Sequence, residues 1–397
     1  MIRVAMVNTA RTQGGAARVA ALLTQTFYDR FDDVEAALYH CEDREQKPPF
    51  FGLKHLLSRP LNAILARLGG STWVCDMGLA QTLIEKNRDA DLLHIHNLHG
   101  YYLDYWRLLQ AWQDRPVVWT LHDMWGLTGR CGFPMACQEW RRGCKRCRHK
   151  DYYPRAWFDR ARHEFNAKSA LFFGLNRLAI ISPSQWLAGL AVERGFPPDS
   201  VHVIPNPLDI DRLEVIDKIT ARKRLNLPEN AFIALFVAAD CADGRKGYRD
   251  FAYAVQAAEC VGIAVGKPPR NPEPTIRHTG PIDARAVLTR YYCAADVYII
   301  PSYADNYPNT VIEALACGTP VIGYDEGGIP AQLDNPYCSI VPKNDKGKMA
   351  DLLSLYSHRQ KKSPLIEKRL AFSANTQWNP YSIAQTHMNL YKKLIYG

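Results

Sequence analysis

The sequence predicts an α/β protein made of two doubly wound units, each a parallel sheet with helices on both faces. Three observations carry this expectation. The chain has 397 residues, more than one hydrophobic core usually serves, so two domains of roughly 200 residues are expected. Short apolar runs bounded by polar residues alternate with helix-length segments, as buried parallel strands alternate with their crossover helices. The alternation breaks at Pro205-Asn206-Pro207 and then begins again.

Residues 2–7 read as a strand ending at Asn8, followed by a glycine-containing turn and a helix over Ala16–Leu23. Further strands are expected at Ala90–Ile95, Pro116–Leu121 and Leu178–Ile181. After Val201–Ile204, two prolines bracket Asn206 and forbid regular structure, which places the domain boundary there: residues 1–205, then 206–380. In the second unit, Phe232–Ala238 reads as a strand and Tyr248–Cys260 as a helix. Gly262–Val265 and Thr275–Thr279 read as strands, and the next helix ends near Ala295. Val297–Ile300 is a strand, Thr310–Cys317 a helix and Pro320–Tyr324 a strand. Residues 381–397 have apolar positions at helical spacing and are expected to pack back on the first domain. Ligands of open parallel sheets bind beyond the carboxyl ends of the strands, so the two units are expected to face each other across a cleft.

Composition narrows the class. With 47% apolar and 22% charged residues and no low-complexity tract, the chain is globular rather than disordered. Its longest apolar stretches, such as Ala231–Ala239, fall short of the ~20 residues of a membrane-spanning helix. The start, Met1–Asn8, turns polar before the apolar core of about 7 to 15 residues that a secretory signal carries, so a cytoplasmic location is expected. Of 11 cysteines, seven are scattered singly, which fits a reducing compartment. The formal charge of +9 predicts an anionic partner: nucleic acid, a membrane surface or phosphate groups.

The richest stretch runs Ile300-Pro-Ser-Tyr-Ala-Asp305-Asn306-Tyr-Pro-Asn309-Thr310-Val-Ile-Glu313-Ala-Leu-Ala-Cys-Gly318-Thr-Pro320-Val. A strand ends, a polar loop carries Asp305, and a helix opens near Asn309 or Thr310 with Glu313 one turn inside. The free amides of that first turn, with the helix dipole, can seat a phosphate. The two acids are then expected to accept hydrogen bonds from sugar hydroxyls. Alone, such a pair is also compatible with a favourable charge in a first turn and an ordinary loop acid.

Two acids eight residues apart, followed by Glu-Ala-Leu-Ala-Cys-Gly-Thr-Pro-Val, resemble the donor-site signature of the retaining family-4 glycosyltransferases. The resemblance implies the GT-B fold, two facing Rossmann-like domains with a cleft between them. It implies that Glu313 binds the nucleotide ribose, that Asp305, where the family normally has Glu, binds the transferred sugar, and that Asn306, Asn309 and Thr310 belong to the donor site. Arg245-Lys246-Gly247 stands where the family sets a basic pair on the donor diphosphate, Gly14-Gly15 resembles its glycine-rich phosphate or acceptor loop, and His122 resembles a histidine near the reacting carbon. Ser182-Pro-Ser184 and Asn206-Pro207 also match family positions. The implied reaction keeps the anomeric configuration and needs no divalent metal. Catalytic roles fall to His122, Asp305 and Lys246. The His-Asp-Met-Trp stretch and the cysteine-rich insert resemble those of bacterial exopolysaccharide (colanic-acid type) or O-antigen enzymes. The implied partners are a UDP- or GDP-sugar and a lipid-linked saccharide, at the inner face of a membrane.

Cys131, Cys137, Cys144 and Cys147 lie within seventeen residues. Four thiolates can close a tetrahedral zinc site, or these can be plain reduced cysteines. His94, His96 and His99 lack a nearby acid or cysteine in sequence and are read as structural or acceptor-lining. Arg141–Lys150 holds six basic residues and no acid, flanked by Trp140, Tyr152 and Tyr153. That composition suits a membrane surface or nucleic acid. Two rival functions therefore stand beside the transferase: a nucleotide-sugar epimerase of the same fold, and a nucleic-acid-binding protein using the basic insert.

Overall fold

In the computed structural model, which describes all residues except 43–45, 54–58, 70–77, 101 and 360–362, the apolar runs form two separate sheets. One lies in a unit of Met1–Pro207 with Pro380–Gly397, the other in a unit of Leu208–Asn379.

The first sheet contains Ile2–Val7 (β1), Val34–His40 (β2), Gln46–Lys47 (β3), Phe50–Gly52 (β4), Leu92–Ile95 (β5), Val117–Thr120 (β6), Leu178–Ser182 (β7) and Val201–Val203 (β8). Their order is β3-β4-β2-β1-β5-β6-β7-β8, parallel except for the β3–β4 pair. β5 and β6 are buried along their whole length, which is why they read as continuous apolar runs rather than alternating ones. Alternate β1 residues feed two cores. Val4 and Met6 meet Leu23 and Phe27 of the helix Gly15–Arg30 and Met388 and Tyr391 of the helix Pro380–Tyr396. Ala5 and Val7 meet Leu83, Leu108, Trp119 and Phe172 on the other face.

The second sheet contains Ile233–Asp240 (β9), Val261–Lys267 (β10), Ile276–His278 (β11), Val297–Ile300 (β12), Val321–Tyr324 (β13) and Ser339–Val341 (β14). All pairs are parallel, in the order β11-β10-β9-β12-β13-β14. It too has two cores, Leu235, Ile263 and Tyr298 on one side and Phe236, Ile299 and Ile322 on the other.

Some boundaries differ from expectation. The first helix continues past Leu23 to Arg30 because Thr24, Thr26 and Phe27 remain on its buried side. The helix expected through Cys260 stops at Ala257: Glu259 turns left-handed at φ 51°, and the Cys260 amide closes back on the Val255 carbonyl. β2 was not anticipated, since Val34-Glu35-Ala36-Ala37 carries weak strand signals; pairing with β1 supplies what propensity does not. No described helix is long and apolar enough to cross a membrane.

Candidate active site

Three neighbouring strands of the second sheet, β9, β12 and β13, deliver their following loops to one place. After β9, a 3₁₀ turn over Gly244–Lys246 ends at Gly247, whose φ is 73°. A Cβ on Gly247 would lie 1.9 Å from the Pro301 carbonyl oxygen, so only glycine lets this turn lie against the end of β12. The Tyr303 amide then donates to the Arg245 carbonyl at 2.7 Å, joining the two loops. After β13, Gly327 at φ 61° approaches the same place; a Cβ there would lie 1.8 Å from the Asp305 carbonyl oxygen.

The result is a compact charge cluster. Lys246 Nζ donates to Asp305 Oδ2 at 2.5 Å, and Arg245 Nη1 lies 3.5 Å from the same oxygen. Arg245 also donates to the Ala304 carbonyl at 2.8 Å and to Asp243 at 3.3 Å. Burial pushes the Asp305 pKa up, but Lys246 and Arg245 outweigh it and hold the carboxyl below its ordinary value. Burial draws Lys246 down, opposed by Asp305. The sequence reading gave Asp305 to sugar hydroxyls and the basic pair to a diphosphate. In the structure these groups are paired with each other.

The helix Asn309–Ala316 opens after Pro308 with no side-chain cap, and the Val311 amide of its first turn donates to the Pro308 carbonyl at 3.1 Å. Asn306 is buried, while Asn309 and Thr310 are half-buried. Thr310 accepts from the Tyr298 hydroxyl at 2.9 Å. Glu313, only 6% exposed, accepts from the Tyr292 hydroxyl at 3.1 Å. Burial and the Glu313 carboxylate keep Tyr292 protonated and donating.

In the first unit, His122 follows β6. Its Nε2 lies 2.9 Å from His96 Nδ1, and burial pushes its pKa down to about 4. His94 bridges the Tyr391 hydroxyl and Thr120 Oγ1, both at 2.7 Å, and stacks on His96 at 4.3 Å. His94 and His96 are therefore internal, held neutral by burial. His99 instead pairs with Asp123 at 2.9 Å, supplying the acid that the sequence reading found missing. Gly14 precedes the helix at φ 95° with open space where a Cβ would stand. The loop before it is pinned by Glu42, which accepts from the Arg11 and Thr12 amides at 2.7 and 2.6 Å. Ser184 caps the helix Gln185–Glu193, and Ser182 donates to the Ser184 carbonyl, so this pair shapes backbone.

In the insert, Cys131, Cys137, Cys144 and Cys147 line one small cavity. Among the described residues, however, no three His, Cys, Asp or Glu side chains stand at metal-ligand spacing. Trp140, expected as a stacking aromatic, is buried beneath Arg141, whereas Tyr153, Trp157 and Phe158 are exposed. Sequence reasoning missed Glu42, Asp123 and Gly327. The glycine pair Gly327-Gly328 after an apolar run was the signal for the last.

Comparison with known proteins places this geometry. The chain is 30% identical over 242 residues to WcaC of Escherichia coli K12, a glycosyl transferase named for colanic acid biosynthesis; the match spans 58% of this chain and 59% of WcaC. Among solved structures it resembles sucrose-phosphate synthase from Thermosynechococcus elongatus (TM-score 0.72, 17% identity, 99% of each chain). It also resembles HepE of Anabaena, solved with UDP-glucose (TM-score 0.68, 14% identity, 99% of this chain and all of that one). These likenesses give the GT-B class of fold. Residues 233–357 match the family model for Glycosyl transferases group 1. With residues 13–212, half of its length, matched by the model for Glycosyltransferase Family 4, the chain belongs to that family.

Proposed function

We propose that this protein moves a sugar from a nucleoside diphosphate, UDP or GDP, to a hydroxyl of a lipid-linked saccharide, with retention of anomeric configuration, in cell-surface polysaccharide assembly. The observation that carries the proposal is the Lys246–Asp305–Arg245 cluster at the carboxyl ends of β9 and β12, beside the uncapped helix at Asn309. An arriving diphosphate competes with Asp305 for both cations beside the opening of the helix. Asp305 is thereby released toward the sugar hydroxyls, and Glu313 accepts from the ribose. Two cations and a helix terminus stabilise the departing diphosphate in place of a metal ion. A leaving phosphate oxygen takes the proton of the acceptor hydroxyl as the new bond forms on the same face. His122, neutral above about pH 4, serves as a hydrogen-bonding group rather than a cation.

UDP-glucose in HepE supports a UDP-sugar donor. The basic insert and the exposed Tyr153, Trp157 and Phe158 support contact with an anionic membrane surface at its cytoplasmic face, where a lipid-linked acceptor would be met. The epimerase alternative is not favoured, because the family matches are to transferases. For nucleic-acid binding through the insert, one of the three flanking aromatics, Trp140, is buried, while Tyr153 is exposed. The test is an assay with nucleotide sugar, a polyprenyl-diphosphate saccharide and chelator, read by NMR of the product's anomeric centre. A product with the donor's configuration is expected; an inverted product refutes retention, and an isomerised sugar nucleotide without transfer favours the epimerase.

A further inference from the structure

The four cysteines of the insert take no part in the sugar-transfer chemistry, and what they do is independent of that reading. Between Leu121 and Arg160 the only regular element is the 3₁₀ turn Glu139–Arg142, yet the segment buries Cys131 and Trp140. A stretch with so little secondary structure needs a staple. All four cysteines are free thiols, so the staple is not a disulfide. The four residues nevertheless line one small cavity. The Gly129 amide donates to Cys144 Sγ at 3.2 Å.

We propose that Cys131, Cys137, Cys144 and Cys147 bind one zinc ion in a closed, all-thiolate structural site. Among the described residues no three of these side chains stand at ligand spacing. Binding draws the four sulfurs together, each to about 2.3 Å from the ion. The four thiols release four protons, and the four thiolates with one Zn²⁺ carry a net charge of −2. Arg130 and Arg146, which line the same cavity, balance it. With four protein ligands no open position remains, so the ion holds structure and activates no water. What it holds is the chain just after His122: Thr128 donates to the Cys131 carbonyl at 2.8 Å, and the Met124 amide donates to the Gly132 carbonyl at 2.8 Å. These contacts fix the turn that carries Asp123, the partner of His99.

The test is metal analysis of the full-length protein purified without chelator, followed by cobalt titration of metal-stripped protein. The proposal expects about one zinc per chain, released by a thiol-reactive mercurial. It expects stripped protein to take up one equivalent of Co²⁺ with the visible spectrum of a tetrahedral cobalt thiolate. Cys144→Ser with Cys147→Ser should abolish binding, and Cys260→Ser, outside the cluster, should retain it. Folded wild-type protein that carries no zinc and binds neither ion on titration would overturn the proposal. So would an intact mass showing the four cysteines paired as disulfides.

Discussion

Replacing Lys246 by Met separates two consequences of the charge cluster. The substitution removes the ammonium 2.5 Å from Asp305 and leaves the carboxylate with Arg245 at 3.5 Å. Side-chain exposures of 22% and 11% make this a largely buried pair. Breaking a fully buried pair costs about 3–5 kcal/mol. With Arg245 still in reach and Lys246 partly solvated, about 1–3 kcal/mol of stability is expected to be lost, read by urea denaturation. Donor affinity falls for a different reason: a charge-assisted hydrogen bond to a phosphate contributes about 1.5–3 kcal/mol, or roughly 10- to 150-fold in Kd by calorimetry. Adding Asp305→Asn removes the stranded carboxylate. The double variant should therefore regain most of the stability and none of the affinity. A double variant that binds donor as wild type does, or a single variant unchanged in both measurements, refutes the reasoning.

Four further outcomes are expected. His387 and His122 are pushed by burial down to about 4, and His94 and His96 lie well below their ordinary value. Unfolded, they titrate near 6.5, so the unfolded chain binds more protons between about pH 6.5 and 4. Their contribution is intact above about 6.5 and is lost as pH falls through that window, by about 1.4 kcal/mol per pH unit for each fully buried histidine. Thermal melts across the window should show this slope, and His387→Phe should flatten it. Gly327→Ala should lose at least ~2 kcal/mol in urea denaturation together with donor binding, because its Cβ meets the Asp305 backbone. Gly14→Ala, with open space around it, should show only the left-handed strain of about 1–2 kcal/mol. Tyr391→Phe strands buried His94 Nδ1 and should cost about 1–3 kcal/mol in the same assay.

The buried strands were legible because full burial writes itself as an uninterrupted apolar run: β1 and Val297–Ile300 were placed to the residue, and β6, β9 and β13 to within about two. β2 and β14 were not, because Glu35 faces solvent and Ser339-Ile340-Val341 is too short to show a period. Asp305, Glu313 and Lys246 could be singled out as chemical groups, but their mutual pairing could not. Lys246 and Asp305 are 59 residues apart, and they meet only because Gly247 and Gly327 let backbone pass where a Cβ would collide. The histidines show the same limit. The period-two spacing of His94 and His96 set both on one face, while their partners, Tyr391 and His122, come from distant parts of the chain.

The central claim is that the second unit seats a nucleoside diphosphate sugar on Arg245, Lys246, Asp305 and Glu313 without a metal ion. Calorimetric titration with UDP-, GDP-, ADP- and TDP-sugars, chelator present throughout, tests it on wild type, Lys246→Ala and Glu313→Ala. The account predicts tight binding of one donor to wild type, lost or greatly weakened in both variants. A folded wild type that binds none of the four, or a donor held equally by all three proteins, would contradict it.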